Sequence, residues 1–335
     1  MTVSNAAYHY TLSDAARALL PRHAAWWQHR GSLYVAHETG PLQSLWLPLS
    51  DGTLAHEDLD LTPDMLDLER ITGAALDAGL LDVDGDTLQY RVPYGVVPWV
   101  EAIMGCPIRA TFQSGSMRSG HIVRYWDDWK HAAKWVDAWA DALVALTRML
   151  VERSGGCYAI AQTLMRGPSD LAEAALGPEF MCTSMYDHPD ELRAFLRDIC
   201  DVFMHVLRIQ MEHWPRVEGG YVSWWGIWAP GTVVRTQCDA SAFLSPRQYA
   251  EWFLPCDVRL CEAVDYGIIH LHSGSLHTVD ALLQVDKPQV IQVSLDPEPS
   301  GPPYVSLLPA FEKILLGGKS LIIDGAITAE EVRLS

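Results

Sequence analysis

The sequence predicts an α/β protein, a (β/α)8 barrel of the TIM type with a mixed N-terminal extension. Strand-like and helical segments alternate over the last two-thirds of the chain, which is typical of a parallel sheet covered by helices. The length of 335 residues suits a barrel with extensions. No G-x-G-x-x-G pattern follows a predicted strand, which weakens the alternative of a doubly wound dinucleotide-binding sheet.

The first hundred residues are predicted to form a mixed α/β extension that packs on the barrel. A helix is predicted over residues 13–30, and a strand-like, turn-rich segment follows over 31–54. A second helix is predicted over 61–81, with Thr62 as its N-cap and Pro63 at its first helical position.

The barrel is assigned to residues 101–335 and begins with a long amphipathic helix, predicted to end at Gly155. Predicted strands and helices then follow one another in the segments 157–177, 187–214, 219–239, 245–264, 267–273, 276–285, 288–296, 305–318 and 319–324. A capping box of Thr328 and Glu331 begins one more helix close to the last residue. We therefore expect either a C-terminally truncated barrel or a short terminal helix.

Composition and charge restrict the partners that we expect. Asp and Glu number 42 against 24 Lys and Arg, a formal net charge of −18, which argues against nucleic acid as a partner. No signal peptide and no apolar run of membrane-spanning length is seen. Seven Cys are scattered without paired spacing, so we expect free thiols in a cytoplasmic protein that binds a small molecule.

The stretch "GIIHLHSGSLH" from Gly267 to His277 holds a histidine pair after a short apolar run. His270 and His272 are two positions apart, so on a strand they share one face and can supply half of a metal site. The alternative is a pair of polar residues that close the strand. A third ligand would come from another strand end, and the candidates are Asp239, Cys238, Asp324 and Glu101.

Three further polar residues lie at predicted strand ends. Asp239 follows an apolar strand and is either a base, ligand or substrate anchor, or a turn aspartate. Arg166 lies on a strand-to-helix loop, where it either binds a carboxylate or phosphate or pairs with Asp170 or Glu173. Gln162 belongs to the same strand end and is expected to contact substrate.

A cluster of tryptophans follows the predicted helix 187–214. Trp224, Trp225 and Trp228 occur within five residues of one another. They predict an aromatic wall for a flat or large ligand, and the alternative is packing in the core.

The order of four segments resembles the uroporphyrinogen decarboxylase superfamily. These segments are "VPWVEAIMGCPI", "RGPSDLAEAALGPEFMCTSMYDHPDELRAFL", "CDASAFLSPRQYAEWFLP" and "IIHLHSGSLHTVDALLQVDKPQVIQVSLDP". The resemblance extends from about Val92 to the C terminus. It implies a (β/α)8 barrel with an N-terminal extension.

The resemblance implies two main activities. One branch decarboxylates a porphyrinogen without a cofactor and uses an R-Q-A-G-R-Y motif, which is absent here. The other branch moves a methyl group between a corrinoid protein and a thiol, with zinc held by an H-x-C motif and a distant Cys. In this chain the H-x-C position is His270-Leu271-His272 and the distant Cys is not found. Asp239 matches the acidic residue of the family's D-x-x-x-x-x-S-P segment.

These observations give the hypothesis of a metal-dependent methyltransferase or demethylase that moves a methyl group between a small substrate and a corrinoid carrier protein. Its cofactor would be zinc, and a homodimer is one expected assembly. The metal is assigned to His270, His272 and Asp324, catalysis to Asp239, Glu101 and Arg166, and substrate binding to Trp224, Trp225, Trp228 and Gln162. The alternatives are a cofactor-free decarboxylase or lyase for a bulky carboxylated substrate and a non-catalytic tetrapyrrole-binding barrel.

Overall fold

A computed structural model describes residues 9–35, 45–297, 299 and 301–333, so part of the predicted 31–54 segment lies outside it. The α-helices are α1 (Asp14–Trp26), α2 (Leu68–Thr72), α3 (Trp99–Met104), α4 (Trp126–His131), α5 (Asp137–Arg153), α6 (Pro168–Leu176), α7 (Pro178–Asp187), α8 (Pro189–Met211), α9 (Pro246–Gln248), α10 (Leu254–Glu262), α11 (Val279–Leu282), α12 (Tyr304–Leu316) and α13 (Ala329–Val332). Within the described ranges, none of the helices combines the length and apolar character needed to cross a membrane.

Among the described residues, the first nine strands span two to four residues each and the last four span five to seven. They are β1 (Leu59–Leu61), β2 (Val83–Asp84), β3 (Thr87–Leu88), β4 (Tyr90–Arg91), β5 (Ile108–Thr111), β6 (Ser116–Ser119), β7 (Ala159–Ile160), β8 (Tyr221–Val222), β9 (Trp228–Ala229), β10 (Val233–Gln237), β11 (Tyr266–His272), β12 (Val290–Ser294) and β13 (Ser320–Asp324). The long strands are the ones that carry the site.

Two of the predicted helices are interrupted. The helix predicted over 61–81 is a 3-10 turn, Pro63–Met65, followed by α2, because Leu66 is extended and Asp67 caps a new helix through the Arg70 amide. The long helix predicted to end at Gly155 is divided into α4 and α5, and Lys134 between them has a φ of 56°. By contrast, the helix predicted over 13–30 is confirmed as α1.

Strands β10, β11, β12 and β13 form a parallel sheet in chain order. Helices α10, α11 and α12 make the connections between them, as in a β/α arrangement. Strands β4 and β7 form a separate parallel pair, and the remaining strands pair antiparallel. The structure therefore shows a mixed α/β fold. Among the residues that it describes, the hydrogen-bonded strands do not form one continuous eight-stranded ring, so the closed barrel stays a prediction.

One face of the four-stranded sheet carries the polar residues of the site and is named the inner face. On this face, Trp225 donates its indole N–H to Asp324 at the end of β13, over 2.9 Å, and its ring lies 5.8 Å from the guanidinium of Arg235 on β10. Trp225 therefore contacts side chains from the first and the last strand of the sheet.

Candidate metal centre

The inner face of the sheet carries polar residues, whereas the face toward the helices is mostly apolar. Side chains two positions apart on a strand share a face, and the parallel register aligns Gln237 with His270 and His270 with Gln292. The polar inner-face residues of β10, β11 and β12 are Arg235, Gln237, His270, His272, Gln292 and Ser294. The sheet thus brings side chains from three neighbouring strands together on one face.

Asp239, His270 and His272 form a group of possible metal ligands. Asp239 begins a 3-10 helix, Asp239–Phe243, directly after β10, and the two histidines end β11. Nε2 of His270 lies 3.7 Å from Oδ1 of Asp239, and Nε2 of His272 lies 3.7 Å from Oδ2. The three donor atoms lie within 4.8 Å of one another. The carboxylate is therefore placed between the two imidazoles.

The other ring nitrogen of each histidine is bound by an acceptor. Nδ1 of His270 contacts Oε1 of Gln292, and Nδ1 of His272 lies 2.6 Å from Oδ1 of Asp296. An amide oxygen and a carboxylate both require a proton on Nδ1. In the neutral imidazole, Nε2 then carries a lone pair that faces Asp239. This arrangement is typical of metal-binding histidines, whose second nitrogen donates to a carbonyl or carboxylate.

The donor set and its geometry fit a zinc ion. Zinc accepts imidazole nitrogen and carboxylate oxygen at about 2.0–2.2 Å, so tetrahedral ligands are roughly 3.3 Å apart, close to the 3.7 Å separations here. Oδ1 of Asp239 is buried and has no hydrogen-bond partner in the structure. Two imidazole nitrogens and a carboxylate oxygen without a hydrogen-bond partner, all within 4.8 Å of one another, are stabilised by a cation.

Without a bound metal, the two histidines have very different pKa values. The carboxylate of Asp239, followed by that of Asp296, raises the pKa of His272 to about 9. Burial, together with the charge of Arg235, lowers the pKa of His270 to about 4. Burial would raise the pKa of Asp239, but His272, His270 and Arg235 outweigh it and leave that pKa below its ordinary value. A proton on His272 therefore neutralises Asp239, and a metal must displace it.

A buried hydrogen-bond network holds the carboxylate of Asp239 in place. Nε2 of Gln237 donates to Oδ2 of Asp239 and to Oδ2 of Asp170, each over 2.9 Å. Arg235 donates to Oε1 of Gln237 over 2.6 Å, which fixes the orientation of the amide. Asp170 also accepts the Ala240 amide N–H over 2.7 Å, so it holds the backbone next to Asp239 as well. Burial raises the pKa of Asp170 to about 7.

Glu101 and Arg166, which were predicted to be catalytic, pair with each other beside the centre. Nε of Arg166 lies 3.2 Å from Oε1 of Glu101, which is fully buried. Burial raises the pKa of Glu101. The ion-pair partner of Arg166 is therefore Glu101, and not Asp170 or Glu173 as the alternative prediction had it.

Three other predicted site residues have structural partners instead. Asp324 accepts the indole N–H of Trp225 and is not a member of the metal-ligand group found among the described residues. The amide of Gln162 bonds the backbone N–H and C=O of Arg235 and so joins β7 to β10. Trp228 is 8% exposed and packs in a second, N-terminal core cluster, with its indole N–H on the Val217 carbonyl. The prediction of Trp228 as a pocket wall is therefore not supported by its position.

Trp224 and Trp225 do lie next to the polar face. Their rings lie 5.4 and 5.8 Å from the guanidinium of Arg235, and both side chains are half-buried. Trp225 has a φ of 76°, a left-handed conformation that is rare for an aromatic residue. The following Gly226 also has a positive φ, and a Cβ there would lie 2.4 Å from the Leu88 carbonyl oxygen. The turn at Gly226 thus holds Trp225 in place.

Comparison with known proteins gives a limited result. No protein-family model matches the chain. No curated protein matches it either. Among solved structures, a methyltransferase from Methanosarcina mazei aligns over 70% of this chain and 74% of its own, with 15% sequence identity and a TM-score of 0.49. A similarity at this level does not assign an activity to the chain, so the function is inferred from the metal centre.

Proposed function

We propose that this protein is a zinc-dependent enzyme whose metal is held by Asp239, His270 and His272. The observation that carries the proposal is the direction of the donor atoms. Both imidazoles present Nε2 to the carboxylate of Asp239, whose Oδ1 is buried and has no hydrogen-bond partner, while Gln292 and Asp296 hold Nδ1. If the two histidines were only polar residues at the end of a strand, nothing would require both of them to bond an acceptor through Nδ1 and to face Asp239 through Nε2.

The site is partly exposed on one side, from which a substrate would approach. Three protein ligands are typical of catalytic zinc, which keeps a fourth position open. The side chains of His272 and Asp239 are 42% and 38% exposed, whereas that of His270 is 10% exposed. Bound zinc would lower the pKa of a nucleophile that coordinates it. The protein's own groups orient the ligands and enclose the deep side of the site.

Methyl transfer between a small substrate and a corrinoid carrier protein is the reaction that we propose for this centre. Its support is the place of His270-Leu271-His272 in the resemblance to the uroporphyrinogen decarboxylase superfamily. The nucleophile's lone pair forms the new bond to the methyl carbon. The old bond breaks, and its electron pair leaves with the leaving group. The proton of the nucleophile is released on the solvent side, where His272 and Asp239 are exposed.

A cofactor-free lyase is a second candidate, favoured by one observation. The guanidinium of Arg235 is buried on the inner face and is able to anchor a substrate carboxylate. In that case a chelator would leave turnover unchanged, whereas Arg235→Met would abolish it.

The experiment that tests the proposal follows the loss of methylcobalamin absorbance in the presence of a panel of small thiols. Metal-free protein is compared with protein reloaded with zinc. We expect turnover only after reloading, its loss in His272→Ala, and its retention in His277→Ala, since Nε2 of His277 bonds the Ser241 carbonyl instead. Full turnover in metal-free protein would contradict zinc dependence. Stoichiometric zinc without transfer to any thiol would leave the metal centre intact and contradict the methyl-transfer reaction.

A further inference from the structure

A buried cation lies one side chain away from the metal centre. Arg235 is 5% exposed and lies on the inner face of β10. Its Nη1 donates to Gln237, whose amide in turn donates to Asp239. Its Nε is buried and has no hydrogen-bond partner, and no carboxylate in the part of the chain that the structure describes forms an ion pair with it. Asp239, Asp170 and Asp324 act on it only from beyond contact distance.

A buried guanidinium without a carboxylate in direct contact is unfavourable, since the desolvation of one ion costs several kcal/mol even after relaxation. Burial lowers the pKa of Arg235 to about 10, so the group is still charged at neutral pH. The hydrogen bond to Gln237 satisfies one of its five N–H groups. A ligand with a negative charge would satisfy the guanidinium far better.

Two aromatic rings flank this cation. Trp224 and Trp225 lie against the guanidinium, and both remain half-buried rather than enclosed in the core. Trp225 is held in a rare backbone conformation and is tied to Asp324 through its indole N–H. Strained backbone conformations are frequent at ligand-binding sites, where the surrounding structure maintains them. The rings form a fixed, flat surface next to the charge.

We propose that the substrate of the metal centre is an aromatic carboxylate, bound with its carboxylate on Arg235 and its ring against Trp224 and Trp225. This inference rests on the proposed function for the claim that the ligand is a substrate, whereas the anion site itself needs no zinc. A monoanion fits better than a phosphate dianion, because Asp239, Asp170 and Asp324 add negative charge nearby. Arginine binds a carboxylate through two parallel hydrogen bonds.

The test compares benzoate with its neutral isostere benzamide, and acetate with acetamide, by titration of metal-free and zinc-loaded protein. We expect benzoate to bind at least about tenfold more tightly than benzamide in both forms, since a buried charge-assisted pair contributes that much. In Arg235→Met the preference falls to within about twofold in the metal-free form, where zinc binding plays no part. Trp224→Ala is expected to weaken benzoate binding and to leave the acetate-over-acetamide preference unchanged.

Several results would overturn the inference. Equal binding of benzoate and benzamide to the wild type would show that there is no anion site. A preference that appears only with zinc and survives Arg235→Met would place the carboxylate on the metal. Tighter binding of inorganic phosphate than of benzoate would contradict the carboxylate class. If Arg235→Met does not fold, the effect of Trp224→Ala on benzoate binding tests the inference instead. The Trp224 side chain is half-exposed, so its removal should not prevent folding. A benzoate preference in a protein that binds no zinc would support the anion site and contradict the proposed function.

Discussion

Asp296 lies 2.6 Å from Nδ1 of His272 and, through its other oxygen, accepts the hydroxyl of Ser273 over 2.8 Å. The carboxylate is therefore held in place by the residue that directly follows the histidine. It fixes the proton on Nδ1 and directs Nε2 toward Asp239. A carboxylate in this role also makes the imidazole a better metal ligand.

Removal of this carboxylate should weaken metal binding. We expect Asp296→Ala to lower zinc affinity by about 10- to 100-fold, and Asp296→Asn to have an intermediate effect because its amide oxygen still accepts from Nδ1. Competition with a chromophoric chelator measures the affinity. Asp280→Ala is the control, since Asp280 is exposed and pairs with Lys313 on the surface. Equal affinities for Asp296→Ala and the wild type would show that Asp296 does not support the site.

Gln237 separates two carboxylates, and its substitution should reveal their repulsion. Gln237→Glu removes the N–H groups that bond Asp170 and Asp239 and adds a third negative charge. We expect a loss of about 3–5 kcal/mol in the free energy of unfolding at pH 8, because the new carboxylate faces those of Asp170 and Asp239 and Arg235 compensates only one of the three charges. Gln237→Met should lose only about 1–3 kcal/mol, from unsatisfied hydrogen bonds. Urea unfolding compares the two variants, and equal losses would rule out a role for charge.

Asp257 should make stability fall as pH rises. This fully buried carboxyl accepts the hydroxyls of Tyr249 and Thr236, and burial raises its pKa to about 7. Between about pH 4 and 7 the folded protein keeps a proton that the unfolded chain has released. The free energy of unfolding therefore decreases across this range, by up to about 4 kcal/mol from this group, and levels off above it.

The variant Asp257→Asn isolates this effect, because an amide does not titrate. We expect the difference in unfolding free energy between wild type and Asp257→Asn to decline from pH 4 to pH 7. Urea unfolding at four or five pH values measures it. A difference that is constant with pH would mean that Asp257 titrates alike in the folded and unfolded chains.

Trp228 and Trp224 should differ in how much they contribute to the free energy of unfolding. Trp228 packs in the N-terminal core cluster, and its backbone N–H bonds Nδ1 of His23 over 2.8 Å. Trp228→Ala should lower the free energy of unfolding by about 3–5 kcal/mol, as for other buried large-to-small changes. Trp224→Ala should cost about 1 kcal/mol or less, because the side chain is half-exposed. Chemical denaturation measures both, and similar losses would contradict this difference.

The sequence predicted two members of the metal-ligand group, His270 and His272, and gave Asp239 as one of four candidates for the third ligand, although the metal was assigned to Asp324. The two-residue spacing of His270 and His272 on a strand places both side chains on one face, and Asp239 follows an apolar segment that ends at the same edge. Neighbouring parallel strands then bring these ends together. Strand geometry alone did not decide which of the carboxylates at the strand ends joins the histidines.

The supporting residues were missed because position along a strand does not define which side chains meet across the sheet. Asp324 also ends a strand, but it bonds the indole N–H of Trp225. Gln237 lies two positions after Arg235 on β10, Gln292 lies between apolar neighbours on β12, and both glutamines are buried. A polar residue on alternate positions of a buried strand is a signal that could have identified them.

The zinc content and zinc affinity of the purified, tag-free protein test the central claim most directly. The wild type and His277→Ala should each hold one zinc per chain. His270→Ala, His272→Ala and Asp239→Ala should each lose at least about a hundredfold in affinity, since each removes one of three protein ligands. A wild type that binds no zinc, or zinc that remains bound after all three substitutions, would contradict the assignment of this site as a metal centre.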